Sequence, residues 1–168
     1  MRTGMMRRLF ALSILLAALS AVGVIGAEEK ASAISTQVHV SGEVKRAAVF
    51  TLEDLAASAK RKASVEVRGY RGIRLTDLID ETEIREDTPN ALRRTYVVAS
   101  AMDGYVAIFS WGELYNSALG KGVIVAWEKD GKPLADGEGR IVLVTDSDLK
   151  PGPRHVRWLS RIDVRRAP

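Results

Sequence analysis

The stretch GRIVLVTDSDLKPGPRHVRWLSRIDV, residues Gly139 to Val164, decides the fold of this chain. Its apolar run Ile141–Val144 predicts a strand, and its second half alternates apolar and polar residues as a second strand would. The apolar positions of that second half are Val156, Trp158, Ile162 and Val164. Between the halves, the Pro-Gly-Pro sequence at residues 151–153 predicts a rigid loop, because proline cannot continue a strand ladder.

Basic residues gather just beyond this loop. Residues 139–168 contain seven Lys and Arg against three acids, and Arg154, His155 and Arg157 stand next to Trp158. Guanidinium groups bind phosphate or carboxylate through two parallel hydrogen bonds, and a neighbouring aromatic ring can cover a flat ligand. We therefore take Arg154, His155 and Arg157 as a candidate cofactor-binding or anion-binding site. The alternative is that Trp158 lies in the core and the arginines point into solvent.

The N-terminal segment has the outline of a secretory signal peptide. A short basic segment precedes an uncharged run from Leu9 to Ala27 that ends in small residues. Cleavage would remove residues 1–27 and leave residues 28–36 as a flexible mature N-terminus. This predicts a periplasmic or secreted protein with no stable membrane span after cleavage. The alternative is an uncleaved anchor, because a run of 19 uncharged residues could just cross a bilayer.

Two details of export stay open. The sequence Arg7-Arg8-Leu9-Phe10 fits the core of a twin-arginine signal, which exports proteins that are already folded, whereas the usual flanking polar residues are missing. Two cleavage positions are plausible, after Ala27 and after Ala33. An ordinary signal for unfolded export is the simpler interpretation.

Composition restricts the classes of partner. Beyond residue 27 the chain has 22 Lys and Arg against 21 acids, a net charge of +1, with the positive excess at the C-terminal end. Nucleic-acid binding requires a broad basic face and is not expected. A small anionic ligand or an acidic protein partner fits a local cluster better. The length beyond the signal predicts one domain, residues 37–168.

Several kinds of chemistry are absent from the sequence. There is no cysteine, so disulfides, thiolate metal sites and cysteine nucleophiles are excluded. The two histidines, His39 and His155, are too few for a histidine-rich metal site, and no serine has the surroundings of a nucleophile elbow. Acidic pairs such as Asp146 and Asp148 are explained by solvation. We assign no catalytic residue and no metal ligand.

The rest of the chain predicts a mixed α+β domain with a mainly antiparallel β-sheet core and short helices. Strands are predicted at residues 37–44, 64–67, 95–101, 105–109 and 123–127. Capping-box spacing predicts helix starts at Thr51 and Ser110, and helical spacing predicts a short helix over 75–79. Asp-Gly pairs at 103–104 and 130–131 predict tight hairpin turns. The run Lys60–Lys62 predicts a solvated loop, and His39 should face away from the core.

Six short blocks occur in an order that resembles the sulfite-oxidase-type molybdopterin-binding domain. They are VSGEV at 40–44, FTLEDL at 50–55, YRGIRLTDLI at 70–79, DGY at 103–105, DGKPL at 130–134 and RHVRWLSRIDV at 154–164. The resemblance is colinear from about residue 38 to residue 164 and implies a mixed α+β fold around a β-sheet core. By position, Arg154, His155 and Arg157 match the basic residues of the family's final motif, although the family often has lysine where Arg157 stands.

The resemblance also implies what is missing. In that family the molybdenum is held by the pterin dithiolene and one protein cysteine, which would be expected between Leu55 and Tyr70. Here that segment is short and basic. Together with the predicted signal peptide, the resemblance therefore implies an exported, non-catalytic domain that binds a small anionic or pterin-like ligand or serves as an accessory module, with molybdopterin as a possible ligand. The alternative is a molybdopterin-dependent oxidoreductase that binds its cofactor without a cysteine ligand.

Overall fold

Two five-stranded sheets carry the fold of this protein, for which we use a computed structural model. The structure describes residues 34–150 and 152–168, and residues 34–36 have no regular secondary structure. The predicted signal peptide, residues 1–27, and its cleavage sites lie outside the described residues. Within the described part, none of the helices combines the length and the apolar character that a membrane crossing requires.

The elements follow one another along the chain with strands predominating. The strands are β1 (Gln37–Gly42), β2 (Ala48–Thr51), β3 (Val65–Val67), β4 (Tyr70–Arg74), β5 (Thr95–Ala101), β6 (Val106–Ser110), β7 (Val123–Lys129), β8 (Lys132–Pro133), β9 (Val142–Thr145) and β10 (Leu159–Arg166). The α-helices are α1 (Leu52–Lys62), α2 (Leu75–Asp80) and α3 (Trp111–Tyr115), and single 3-10 turns span Ala91–Arg94 and Ala118–Gly122.

The first sheet has the strand order β2-β1-β10-β5-β6. Its β1–β10 pair is parallel, and its other pairs are antiparallel. In the second sheet β3, β4 and β7 are neighbours, and β7 pairs with both β8 and β9 along its other edge. All of these second-sheet pairs are antiparallel. This confirms the predicted mixed α+β architecture with mainly antiparallel sheets.

The stretch 139–164 joins the two sheets. Its first strand, β9, lies in the second sheet, and its last strand, β10, lies in the first. Between them, Leu143 and Val156 exchange two backbone hydrogen bonds of 2.9 Å, and the Leu159 amide donates to the Ile141 carbonyl at 2.9 Å. The chain is therefore still paired with β9 when it enters β10.

A large apolar core lies between the sheets. It is formed by alternate residues of both, for example Val38 and Ile162 from the first sheet and Val125 and Leu143 from the second. A smaller cluster that includes Ile124 packs on the other face of the second sheet. The outer face of the first sheet is exposed along several strands, for example at His39, Val49 and Ile108.

Most local predictions are confirmed. Capping boxes with Thr51 and Ser110 begin α1 and α3, and the hairpins form as expected, with positive φ at Asp130 and Gly131. The expectation that solvation explains Asp148 is wrong, because its side chain is only 10% exposed and is paired with Arg154. Two further predictions are wrong. Lys60–Lys62 forms the last turn of α1, where cations interact favourably with the helix dipole. Trp158 precedes its strand, with a φ of 48°, and its backbone lies so close to Gly139 that a Cβ at residue 139 would collide with it.

Candidate functional site

Arg154 is held by two carboxylates. Its Nε donates to both oxygens of Asp148 at 3.0 and 3.1 Å, its Nη2 donates to Asp148 Oδ1, and its Nη1 donates to Glu113 Oε1 at 3.3 Å. The guanidinium carbon lies 5.1 Å from the ring centroid of Phe109. With 22% of its side chain exposed, Arg154 is neutralised from within the protein.

Local structure presents both carboxylates to Arg154. Glu113 is the N3 residue of α3, and its Oε2 accepts from the amide and the hydroxyl of Ser110, which leaves Oε1 free for Arg154. Asp148 follows β9, and its Oδ2 accepts from the Thr145 hydroxyl at 2.7 Å. The loop that carries Arg154 is thereby tied to α3 and to the end of β9.

Hydrogen bonding keeps these carboxyl groups ionised. The Arg154 guanidinium holds the pKa of Asp148 below its usual range. The Ser110 amide is the main cause that lowers the pKa of Glu113, and Arg154 adds to it. One cation therefore faces two anions. A phosphate could use Arg154 only by displacing its carboxylates, which places Arg154 in the framework of the site.

His155 occupies a different environment from its neighbour. Its ring lies edge-on to Tyr70, with centroids 5.5 Å apart and an interplanar angle of 84°. Its Nε2 is buried and has no hydrogen-bond partner among the described residues. Burial, followed by the charge of Arg157, lowers the pKa of His155, so the neutral imidazole is favoured. A buried polar atom without a partner is unusual and suggests that a ligand or water completes it.

Tyr70 anchors a polar network beside His155. The Tyr70 hydroxyl donates to Glu138 Oε2 at 2.7 Å and accepts from Lys129 Nζ at 3.0 Å. The same ammonium lies 4.5 Å from the Tyr70 ring centroid. Burial raises the pKa of Tyr70, so its hydroxyl stays protonated. These contacts fix the ring against which His155 packs.

Arg157 is exposed and forms no ion pair within 4.0 Å in the described part of the chain. Trp158 is partly exposed rather than in the core, and its indole N–H donates to the Asp136 carbonyl at 3.0 Å. The structure thus divides the predicted cluster. His155 packs on Tyr70 and Arg157 is exposed, whereas Arg154 is paired with Asp148.

Sequence reasoning missed the residues that surround the cluster. Glu113 is predicted as a helix cap, and nothing local links it to Arg154, 41 positions away. The pair of Tyr70 and Glu138 spans 68 positions, and Lys129 ends a strand like many surface lysines. A capping glutamate uses only one of its two carboxylate oxygens at the cap. The unused oxygen of Glu113 is the one sequence feature that could have suggested a further partner for this residue.

The comparisons with known proteins agree with this architecture. A family model described as "oxidoreductase molybdopterin binding domain" matches residues 61–168. The chain belongs to this family. Among solved structures, this member of the oxidoreductase molybdopterin-binding domain family is similar to the sulfane dehydrogenase SoxCD from Paracoccus pantotrophus, at 18% identity and a TM-score of 0.55.

The similarity to SoxCD covers 77% of this chain and 38% of the SoxCD chain. At this identity the match shows a shared fold alone. That shared fold agrees with the two-sheet α+β architecture described above. A comparison with curated protein sequences found no match.

The side chains of this family member do not fit a molybdenum centre. In this family molybdenum takes a soft thiolate ligand from a cysteine side chain. This chain contains no cysteine. In the described part of the chain, no group of three or more His, Asp or Glu residues is placed to hold a metal ion. Arg154, one of the two arginines of the cluster, is already paired with Asp148. The residues of the cluster that are not paired in this way are His155 and Arg157.

The Arg154 pair gives a testable prediction for stability. Replacing Arg154 by Met leaves Asp148 almost buried without its cation and should lower the free energy of unfolding at pH 7 by about 1.5–3 kcal/mol. Because the pKa of Asp148 is lowered in the folded protein, the pair stabilises above the unfolded value of about 3.9 and this contribution is lost as the pH falls through the folded pKa. Denaturant unfolding at pH 7 and at pH 3 measures both effects.

A matched control is Arg71→Met, which removes an exposed arginine 3.5 Å from Glu128. It should cost less than about 1 kcal/mol at either pH, as surface ion pairs usually do. Equal losses for the two variants, or a loss for Arg154→Met that does not shrink at low pH, would contradict the role given to Arg154.

Proposed function

We propose that this protein is a non-catalytic member of its family that binds a small anionic or pterin-like ligand beside His155. The observation that carries the proposal is the buried, unpartnered Nε2 of His155 next to an exposed Arg157 that lacks an ion pair within the described residues. An anion bound here would accept from the Arg157 guanidinium and, in the tautomer that carries its proton on Nε2, from the His155 imidazole. The absence of a cysteine argues against oxygen-atom transfer of the family type.

The electrostatics beside His155 favour an anion. Arg157, Lys129 and Arg68 each act to lower the pKa of His155, and Glu138 opposes them. Lys129 lies 3.7 Å from Glu138 and Arg68 lies 3.9 Å from Asp146, so Arg157 is the cation of this group without an ion pair among the described residues. A ligand that brings one or two negative charges would pair with this cation.

The aromatic neighbour supports the pterin-like alternative within this proposal. Trp158 follows Arg157, and its indole is partly exposed while its N–H is fixed on the Asp136 carbonyl. A fixed, partly exposed ring can cover a flat heterocycle at small entropic cost. An acidic side chain of a protein partner, as in an accessory module, would use the same two donors, His155 and Arg157, without the ring.

Titration with sulfate tests the anion site, because the charge of sulfate is constant near neutral pH. We expect saturable chemical-shift changes in the backbone amides of residues 154–158 and in the indole N–H of Trp158. Arg157→Gln should weaken binding by about tenfold or more, since it removes one charged hydrogen-bond donor. Arg93→Gln, an exposed arginine elsewhere, makes the same change in net charge and should leave binding unaltered.

The anion site is refuted if these signals do not respond to sulfate or if Arg157→Gln binds as wild type does. Repeating the titration with an oxidised pterin then separates the ligand classes. A pterin that shifts the Trp158 indole signal supports the pterin-like class, whereas sulfate binding without pterin binding restricts the proposal to small anions or acidic partners.

We further propose that the protein is exported after removal of residues 1–27, on the basis of the basic start and the uncharged run to Ala27. N-terminal sequencing of protein from the periplasmic or extracellular fraction should find a chain that begins at Glu28. Replacing both Arg7 and Arg8 by Lys should abolish export only if the twin-arginine route is used. Intact Met1 on protein retained in the cytoplasm would contradict the proposal.

A further inference from the structure

A groove on the outer face of the first sheet has the features of a second binding site. It encloses about 300 Å³, which is at the small end of the range for ligand pockets. Its polar side chains include His39 and Arg161, and its apolar wall comes from the start of β2. We infer that this groove binds a small carboxylate with a short apolar body, through Arg161 and His39.

The sheet register brings the two donors together. β1 and β10 are parallel neighbours, and His39 lies directly opposite Arg161. The flanking residues Val40 and Ile162 are buried in the core, so alternation sends His39 and Arg161 to the same outer face. Both side chains are exposed. Their pairing is built into the backbone and does not depend on a loop.

The positive charge of Arg161 is not neutralised by its neighbours. Arg161 forms no ion pair within 4.0 Å among the residues that the structure describes, and the groove lining contains no Asp or Glu. The nearby acid of the same strand and face, Asp163, accepts from the Ser41 hydroxyl at 2.6 Å and lies 3.3 Å from Arg165. Its carboxylate is thus engaged away from Arg161, which stays available to a ligand.

His39 supplies a second donor. The amide nitrogen of Gln37 lies 3.2 Å from His39 Nε2. An imidazole ring carries an N–H in either tautomer, so His39 has a donor to offer beside the Arg161 fork. Together these two side chains provide donors for the two oxygens of a carboxylate.

The apolar wall selects the kind of anion. Val49 lies opposite His39 in the β1–β2 pair, and 47% of its surface is exposed. Ala47 extends this surface along the groove. A ligand that covers these side chains gains about 25 cal/mol for each Å² of apolar surface that it removes from water. A carboxylate with a short hydrocarbon body gains this contribution, whereas an inorganic anion does not.

The groove is separate from the site of the proposed function. His39 and Arg161 face outward from the first sheet, whereas His155 packs on Tyr70 of the second sheet. The two sites can therefore be followed in one spectrum through different amide signals. A negative result at one site therefore does not count against binding at the other.

Titration of the 15N-labelled full chain with hexanoate tests the groove. Hexanoate should produce saturable shifts in the amides of His39, Val49 and Arg161, and Arg161→Gln should weaken the affinity by about tenfold or more. Arg93→Gln removes the same charge at an exposed position outside the groove and should change the affinity less than about threefold. Hexanol, which has the apolar body without the charge, should bind at least about tenfold more weakly.

Several outcomes would overturn this inference. They are the absence of saturable shifts with hexanoate, wild-type affinity in Arg161→Gln, and equal binding of hexanol. Sulfate that binds at these residues as tightly as hexanoate would refute the role of the apolar wall. His39→Gln is a second variant at an exposed position, and it should weaken hexanoate binding by about threefold or more while leaving the sulfate response of residues 154–158 unchanged.

Discussion

The reciprocal hydrogen bonds between Leu143 and Val156 hold this fold together at the place where the chain passes from one sheet to the other. They keep the segment after the Pro-Gly-Pro loop paired with β9 until it enters β10. His155 directly precedes this contact, so its ring is fixed against Tyr70 of the second sheet. The position of the proposed anion site therefore follows from the way in which the sheets are joined.

One short basic segment performs two physical tasks in this protein. Arg154 stabilises the loop, because Asp148 and Glu113 neutralise it in a mostly desolvated place. Arg157, three residues later, is exposed and its charge is available. Counting basic residues in the sequence cannot separate these tasks, since the distinction depends on which carboxylates the fold brings within reach. The same reasoning applies to Arg161, whose neighbour Asp163 is already engaged.

Patterns that are local in sequence predicted this structure well, and contacts between distant residues escaped prediction. The capping box at Ser110 and the outward direction of His39 both follow from a few neighbouring residues. The second use of Glu113 requires Arg154 from 41 positions away, and the pairing of His39 with Arg161 requires a parallel strand neighbour 122 positions later. Such contacts depend on sheet order, which alternation and turn signals do not encode.

The central proposal is that this family member has the family fold and binds an anion beside His155 without a metal centre. The most direct test is elemental analysis for molybdenum, together with oxidised-pterin fluorescence, on protein purified from cells that make the molybdenum cofactor and are grown with molybdate. Our account predicts molybdenum far below stoichiometry, with or without a bound pterin, because no thiolate is present to hold the metal. Stoichiometric molybdenum that stays with the folded protein through purification would contradict it.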